Sequence, residues 1–560
     1  MAIRRRRVGK AVYLEEYRSF RVNGKVKTEF VRYLGREGEE RAKPLPVERK
    51  IDSVANSGSS RYGDVSLLWA LSVDLGIPEI LDRYCSGNSS KDGPTPGKLL
   101  TVWAINRILH PESASMLPSW VEGTDLPRLT GIPAGAFTKD AFLNSLDTVC
   151  GEDEHGRIVD RTEALDRELF DRFREKYPLN GDSETLAYDI TTVLFFGVTC
   201  PLTELGYNPD GIDMRQVNVA LLVTKNEGFP FFHSVYEGSR HSSMTVRNML
   251  SRLPRNGGTL VWDRGMVSPS QVTDATALGW KLICGLPKSL KAVRALLDST
   301  DVPQRPETLV RSATHSRIYA VKTAAAVFGR MHSVAVYRNM EKAVRDADVR
   351  NDALKSIAVE LDRLAVDGDE LSEAKLHSKI RSIAGEWSEY IDIRVKRKGS
   401  GKRIEWSYRQ HSLRAAERAD GKFAILSTDD SLSAADTVNT YLEKDYIEKV
   451  FRHLKTDEHI EPVRHRLERR VRAYIFLLVL SYRIASALHW KMSLLEEGNA
   501  WDAMDELLRK LSRVERVEIS IGRESKVWYL NLMPDTRKTI AKIGFPGQFS
   551  ENVKSRRCNR

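Results

Sequence analysis

The sequence predicts an α/β protein built on a mixed sheet, and three observations carry that reading. Three apolar runs, TLAYDITTVLFFG, VNVALLVTK and FPFFHSVYEG, follow one another from Thr185 and read as consecutive strands, with NEG as the turn between the second and third. Helix and strand then alternate through SSMTVRNMLSRL, TLVWDRGM, SPSQVTDATALG and WKLICGLP. Far downstream, YLEKDYIEKVFRHLK (residues 441–455) contains no Pro or Gly and reads as an amphipathic helix.

Composition sets the outer limits. With 560 residues, 41% apolar and 29% charged, the chain is long enough for several domains with sizeable cores. The 87 basic against 76 acidic residues leave +11, which favours an anionic partner such as nucleic acid. Five scattered cysteines without a CxxC pair argue for a reducing compartment and against structural zinc. The longest apolar run, AYIFLLVLSY (473–482), is well short of the ~20 residues of a membrane span and reads as a buried core helix.

Taken in order, residues 1–50 begin with MAIRRRRVGK, a basic arm with no apolar segment behind it. Two strands follow, joined at Asn23-Gly24 because a type I′ turn needs positive φ at both central positions, and then the charged linker REGEERAKPLPVERK. Residues 51–180 are helical, as in VSLLWALSVDLGI and GKLLTVWAINRIL, and no helix-turn-helix is evident. Residues 181–290 hold the three strands and the helix–strand alternation. Asp189 and Asp263 sit there in apolar β runs where an unpaired charge is costly, which calls for a cation. Residues 291–430 read as a mixed, β-rich insertion whose long charged helix is a solvated face, with a DNA-tracking arm as the alternative. Residues 431–495 carry the 441–455 helix and the apolar helix after it, and 496–560 a further helix, two short strands and a basic tail expected to be disordered.

Within 441–455, Tyr441, Lys444, Glu448 and Lys455 fall within roughly 60° of one another on a helix turning ~100° per residue. Asp436 is placed to cap this helix, and Ile447, Val450, Phe451 and Leu454 form a neighbouring apolar stripe. A carboxylate among cations on a basic protein suits a metal-binding acid presented to phosphates. The bland alternative is an ordinary amphipathic surface helix.

The spacing resembles a signature of bacterial insertion-sequence DDE transposases: tyrosine, two residues, arginine, three residues, glutamate, six residues, lysine. Tyr441, Glu448 and Lys455 match it, Lys444 stands in the arginine position, and HIEPVRHRLERRVRAYIFLLVLSYRI is similar to the family's continuation. YDITTVLFF and WDRG resemble the family's surroundings for its two aspartates, and the element order resembles a ribonuclease-H-like fold.

The resemblance implies a ribonuclease-H-like catalytic core with a β-rich insertion, an N-terminal β-hairpin unit and a helical domain for DNA-end recognition or dimerisation. It implies cut-and-paste transposition, with end cleavage by hydrolysis and strand transfer by the 3′-hydroxyl. Asp189 would bridge two Mg²⁺ ions, which Mn²⁺ could replace, with Asp263 on one and Glu448 on the other. Tyr441, Lys444, Lys455, Arg464, Arg469 and Arg472 would hold DNA phosphates. The partners implied are the element's terminal inverted repeats and target DNA, bound as a homodimer in a bacterial cytoplasm and nucleoid, with no membrane. Two alternatives stay open: a structure-specific nuclease of the same fold, and a catalytically silent DNA-binding descendant of a transposase.

Overall fold

The computed structural model describes residues 2–9, 11–22, 25–37, 54–85, 94–178, 184–195, 199–206, 211–240, 242–255, 257–310, 317–367, 371–398, 401–456, 463, 465–495, 499–521, 524–549 and 554–555. They fall into two compact units, one containing residues up to 59, Arg516–Leu530 and the strand Lys554–Ser555, the other Ser60–Glu515 and Asn531–Phe549.

In the first unit the two predicted N-terminal strands pair as Ala11–Val22 and Lys25–Arg36. The expected turn at Asn23-Gly24 lies outside the described residues. The basic arm is not free: Ala2–Val8 is an edge strand paired antiparallel with Ala11–Tyr17. The segment Val54–Arg61, inside the region expected to be helical, is also a strand. It joins Glu515–Ile521, Glu524–Leu530 and Lys554–Ser555 in a four-stranded sheet, so part of the tail expected to be disordered is paired.

In the second unit the helical region includes α1 (Pro96–Leu109), α2 (Lys139–Val149) and α3 (Thr162–Lys176). Thr95 and Thr138 cap the first two through their hydroxyls. The sheet begins with β1 (Thr185–Leu194), β2 (Gln216–Thr224) and β3 (Pro230–Glu237). It continues through α4 (Ser242–Arg252), β4 (Thr259–Trp262), α5 (Pro269–Ala277) and β5 (Lys281–Gly285), each where the apolar pattern places it. Next come β6 (Leu309–Val310), β7 (Ile318–Val327), β8 (Arg330–Asn339), α6 (Met340–Asp367) and β9 (Lys422–Ser427), and then α7 (Ala434–Leu442), α8 (Asp445–Thr456) and α9 (Glu468–Ser493). The nine strands lie in the order β6-β7-β8-β9-β5-β4-β1-β2-β3, with β4 parallel to both β1 and β5 and the other pairs antiparallel.

This order revises the expected insertion. Strands β7, β8 and β9 extend the main sheet beyond β5, because β9 pairs β5 on one side and β8 on the other. What stands apart is α6 with the helix Glu373–Ala384 and the hairpin Ile391–Lys398/Gly401–Tyr408. Nor is α6 only a solvated face: Leu354, Ile357 and Leu361 are buried with Ile391, against Trp387 and Trp406.

The main core lies between one face of the sheet and helices α7 to α9. Val219, Leu221, Val261 and Ile283 meet Ile447, Val450, Phe451 and Leu454 of α8 and Ile475, Leu478 and Val479 of α9. Helix α9 is long and apolar enough to cross a membrane, but 89% of its apolar window is buried inside this protein, as the core-helix reading expects. It packs on α1, α2 and β3, which fastens the helical region to the sheet.

Candidate active site

The acids predicted on strands are neighbours because of the sheet register. Trp262 pairs with Tyr188 across the parallel β4–β1 boundary, so the chain leaves β4 at Asp263 beside Asp189, with strands ~4.8 Å apart. Asp189 lies mid-strand opposite Leu221 and accepts a hydrogen bond from the Ile190 N–H at 2.8 Å. Asp263 caps the short turn that follows β4 and accepts from the Arg264 N–H at 2.8 Å.

The stretch 441–455 is not one helix. It is the end of α7 and all but the last residue of α8, broken at Glu443 and Lys444. Neither residue is a helix breaker. The cause is burial: α7 buries Thr437, Val438 and Tyr441, while α8 buries Ile447, Val450, Phe451 and Leu454. At ~100° per residue an uninterrupted helix would set these two groups on nearly opposite faces, and the break turns both toward the sheet. Asp436 does not cap: Ser433 does, accepting from the Asp436 N–H, and the Ser433 hydroxyl donates to the Asp436 carboxylate at 2.6 Å.

The break sends two side chains to Asp263. The Tyr441 hydroxyl donates to Asp263 Oδ1 at 2.7 Å, and Lys444 Nζ lies 3.8 Å from the same oxygen and 5.5 Å from the Tyr441 ring centroid. Tyr441 is buried, so it supports an acid here instead of facing outward. Gly285, at the end of β5, makes room for it: a Cβ there would fall 2.5 Å from the Tyr441 hydroxyl and 3.2 Å from Arg264 Cβ.

Electrostatics tie the acids together. Burial pushes the Asp189 carboxyl up to about 6, Lys444 and the Ile190 N–H pull it down, and the negative charges of Asp263 and Glu448 push it up again. Burial also acts to raise Asp263, but Lys444, the Tyr441 hydroxyl and Arg264 outweigh it and hold that carboxyl below the usual range. Burial, with Asp263 next to it, raises the Tyr441 phenol, which stays a neutral donor. Glu448 is exposed on α8, on the far side from the core residues Val450 and Leu454. Among the described residues no three His, Cys, Asp or Glu side chains are grouped to hold a metal ion, and positive charge reaches the acids from Lys444 and Arg264.

The remaining predicted residues divide. Lys455 is half-buried in the last turn of α8, and Arg464 lies outside the described residues. Arg469 and Arg472 are not brought to the acids. Arg469 pairs with Asp147 of α2 and with Glu152, and Arg472 pairs with Glu468 and donates to the Val235 carbonyl on β3, two strands away from Asp189. Their charge is used to join α9 to the helical region and the sheet edge. The sequence reading missed Gly285 and Arg264; the glycine directly after the apolar run LIC was the available signal.

The sheet therefore sets Asp189, in mid-strand, beside Asp263, just past the end of the neighbouring parallel strand, with α8 packed on the same sheet. The pattern of the family described as the transposase DDE domain matches residues 203–484, half of the chain, and includes Asp263 and Glu448. The chain belongs to that family of transposases. No curated protein matches it. Among solved structures it is similar to the piggyBac transposase in a synaptic complex with hairpin DNA, 11% identical, with a TM-score of 0.37 and 82% of each chain covered.

Proposed function

We propose that the chain is a cut-and-paste DNA transposase whose reacting centre is built on Asp189 and Asp263, with Glu448 of α8 completing the set of acids. The observation that carries this reading is the register that sets Asp263 beside Asp189, with Lys444 drawn to the pair and the charge of Glu448 acting on Asp189. The strand order β3-β2-β1-β4-β5, antiparallel up to β1 and parallel from β1 to β5, supports a ribonuclease-H-like core.

Three carboxylates offer only hard oxygen donors, and their mutual repulsion is relieved by a cation, so the donor set fits Mg²⁺, with Mn²⁺ as a substitute. Asp189, Asp263 and Glu448 would hold the ions, which when bound supply activation of the attacking water or 3′-hydroxyl and stabilisation of the leaving oxygen. The rest of the work falls to the protein. Tyr441 fixes the Asp263 carboxylate by donating to it, and Gly285 leaves the ring its place. Lys444 offsets the charge of the acids in the free protein and can turn to a DNA phosphate as a point charge, without the bidentate fork of arginine. The DNA substrates are the element's inverted ends and a target duplex, handled by a homodimer in a bacterial cytoplasm.

The test uses the full chain on duplex carrying candidate element ends, with cleavage and joining measured separately on intact and pre-nicked substrates. Joined products that need a divalent metal, lost in Asp189→Asn while duplex binding persists, are expected. Cleavage without joining would favour a nuclease, and loss of binding together with activity in Asp189→Asn would contradict the assignment.

A further inference from the structure

The net charge of this protein is concentrated far from the acids in sequence. Residues 1–36 hold eleven Lys and Arg against three Glu, a net +8 of the total +11, leaving +3 for the other 524 positions. These residues form the antiparallel sheet Ala2–Val8, Ala11–Val22 and Lys25–Arg36, in which no described side chain is buried. A sheet with neither face covered gains little from its own packing.

Pairing within the sheet is uneven along its length. Where all three strands run together, acids neutralise arginines: Arg6 with Glu15, Arg32 with Glu16, and Arg5 with Glu37. Aromatic rings tie the same part together, with Tyr13 against Tyr33 at 5.8 Å, Tyr17 against Phe30 at 5.6 Å, and Arg4 over Tyr17 at 4.9 Å. The edge strand ends at Ala2, opposite Tyr17. Beyond that point the five pairs from Arg18↔Glu29 to Val22↔Lys25 form a bare two-stranded ribbon ~17 Å long. Among the described residues, Arg21, Lys25 and Lys27 on this ribbon make no ion pair, and Phe20 and Val26 are exposed.

We propose that this ribbon is a duplex-DNA docking element that enters the major groove, with the arginine strand beside it reaching the flanking phosphates. The groove is ~12 Å wide and admits a two-stranded ribbon, and a polyanion bearing a charge every ~1.7 Å is the partner that unpaired cations on an uncovered ribbon fit. The exposed Phe20 and Val26 supply apolar contact of the kind a thymine methyl accepts. The inference shares its DNA partner with the proposed function but uses none of the three acids.

The experiment is fluorescence anisotropy with the full chain, without divalent metal, on a mixed-sequence duplex and on one of its single strands across a range of salt. Arg21→Ala, Lys25→Ala and Lys27→Ala combined should weaken duplex binding and lower the slope of log affinity against log salt by about 2.7, from three contacts at ~0.9 each. The charge-preserving set Arg21→Lys, Lys25→Arg and Lys27→Arg should keep the slope. Unchanged duplex affinity and slope in the alanine set would overturn the proposal. So would an equal loss on the single strand, which would make the sheet a single-strand platform. Asp189→Asn should lose joining and keep the slope, so the two proposals fail separately.

Discussion

Asp166 and Asp189 are both withdrawn from solvent within the same unit, and their surroundings treat them in opposite ways. Asp166 is fully buried on α3, where one oxygen accepts from Arg483 of α9 at 2.7 Å and the other meets the N–H and ring Nδ1 of His233 on β3. Burial would raise its carboxyl, but Arg483 and His233 outweigh that and hold it below the usual range. Asp189 has Lys444 on its side but Asp263 and Glu448 against it, and burial lifts it to about 6. The first carboxylate has both oxygens partnered within the protein and ties three elements together. The second is left unbalanced, which costs stability and suits a group that awaits a cation.

Breaking the Asp166–Arg483 pair should have the largest effect. Arg483→Met leaves Asp166 buried without its main partner, and a stability loss of about 3–5 kcal/mol is expected. A denaturant midpoint measured against wild type checks it; a shift no larger than that of a surface substitution would erase the contrast between the two sites.

Next in size is the pH response, where the two acids should oppose each other. The folded-state value of Asp189 lies above its ordinary 3.8, so between about 4 and 6 the folded chain holds more protons and stability falls as pH rises, flattening above 6. At ~1.4 kcal/mol per unit the fall is roughly 1–3 kcal/mol, and Asp189→Asn should remove it. Asp166 is depressed, so its contribution is present at neutral pH and lost on acidification below the ordinary carboxylate range. Denaturation curves from pH 4 to 7 that are identical in wild type and Asp189→Asn would remove the claim that Asp189 carries a penalty.

The smallest effect concerns how the open site is held. Gly285→Ala should push Tyr441 away from Asp263 and lower joining by about tenfold, roughly 1.4 kcal/mol of barrier, with little change in melting temperature. Tyr441→Phe, which loses the hydroxyl but keeps the ring, should fall in the same direction by less. Equal wild-type joining in both would mean that the tyrosine does not position Asp263.

How far this was legible in the sequence follows from where each signal lies. Strands β1 to β5 were visible because each is an apolar run bounded by turn residues, and Asp189 and Asp263 stood out as charges inside such runs. That β7 to β9 continue the same sheet was not visible, since an apolar strand does not name its partner. The break at Lys444 could be read only by counting Thr437 and Val438 with Tyr441, whose faces conflict with those of α8. The fates of Arg469 and Arg472 depend on Asp147 and on the Val235 carbonyl, hundreds of residues upstream, and no spacing rule reaches that far.

The central claim, that Asp189, Asp263 and Glu448 form one cation-dependent site, is tested most directly by Mn²⁺ binding to the DNA-free full chain. Electron paramagnetic resonance at a pH above 6 would follow wild type beside Asp189→Asn, Asp263→Asn and Glu448→Gln, with melting temperatures confirming that each is folded. The account predicts saturable binding in wild type and a marked loss in each single variant, because all three carboxylates serve the same ions. Binding unchanged in all three variants would contradict it.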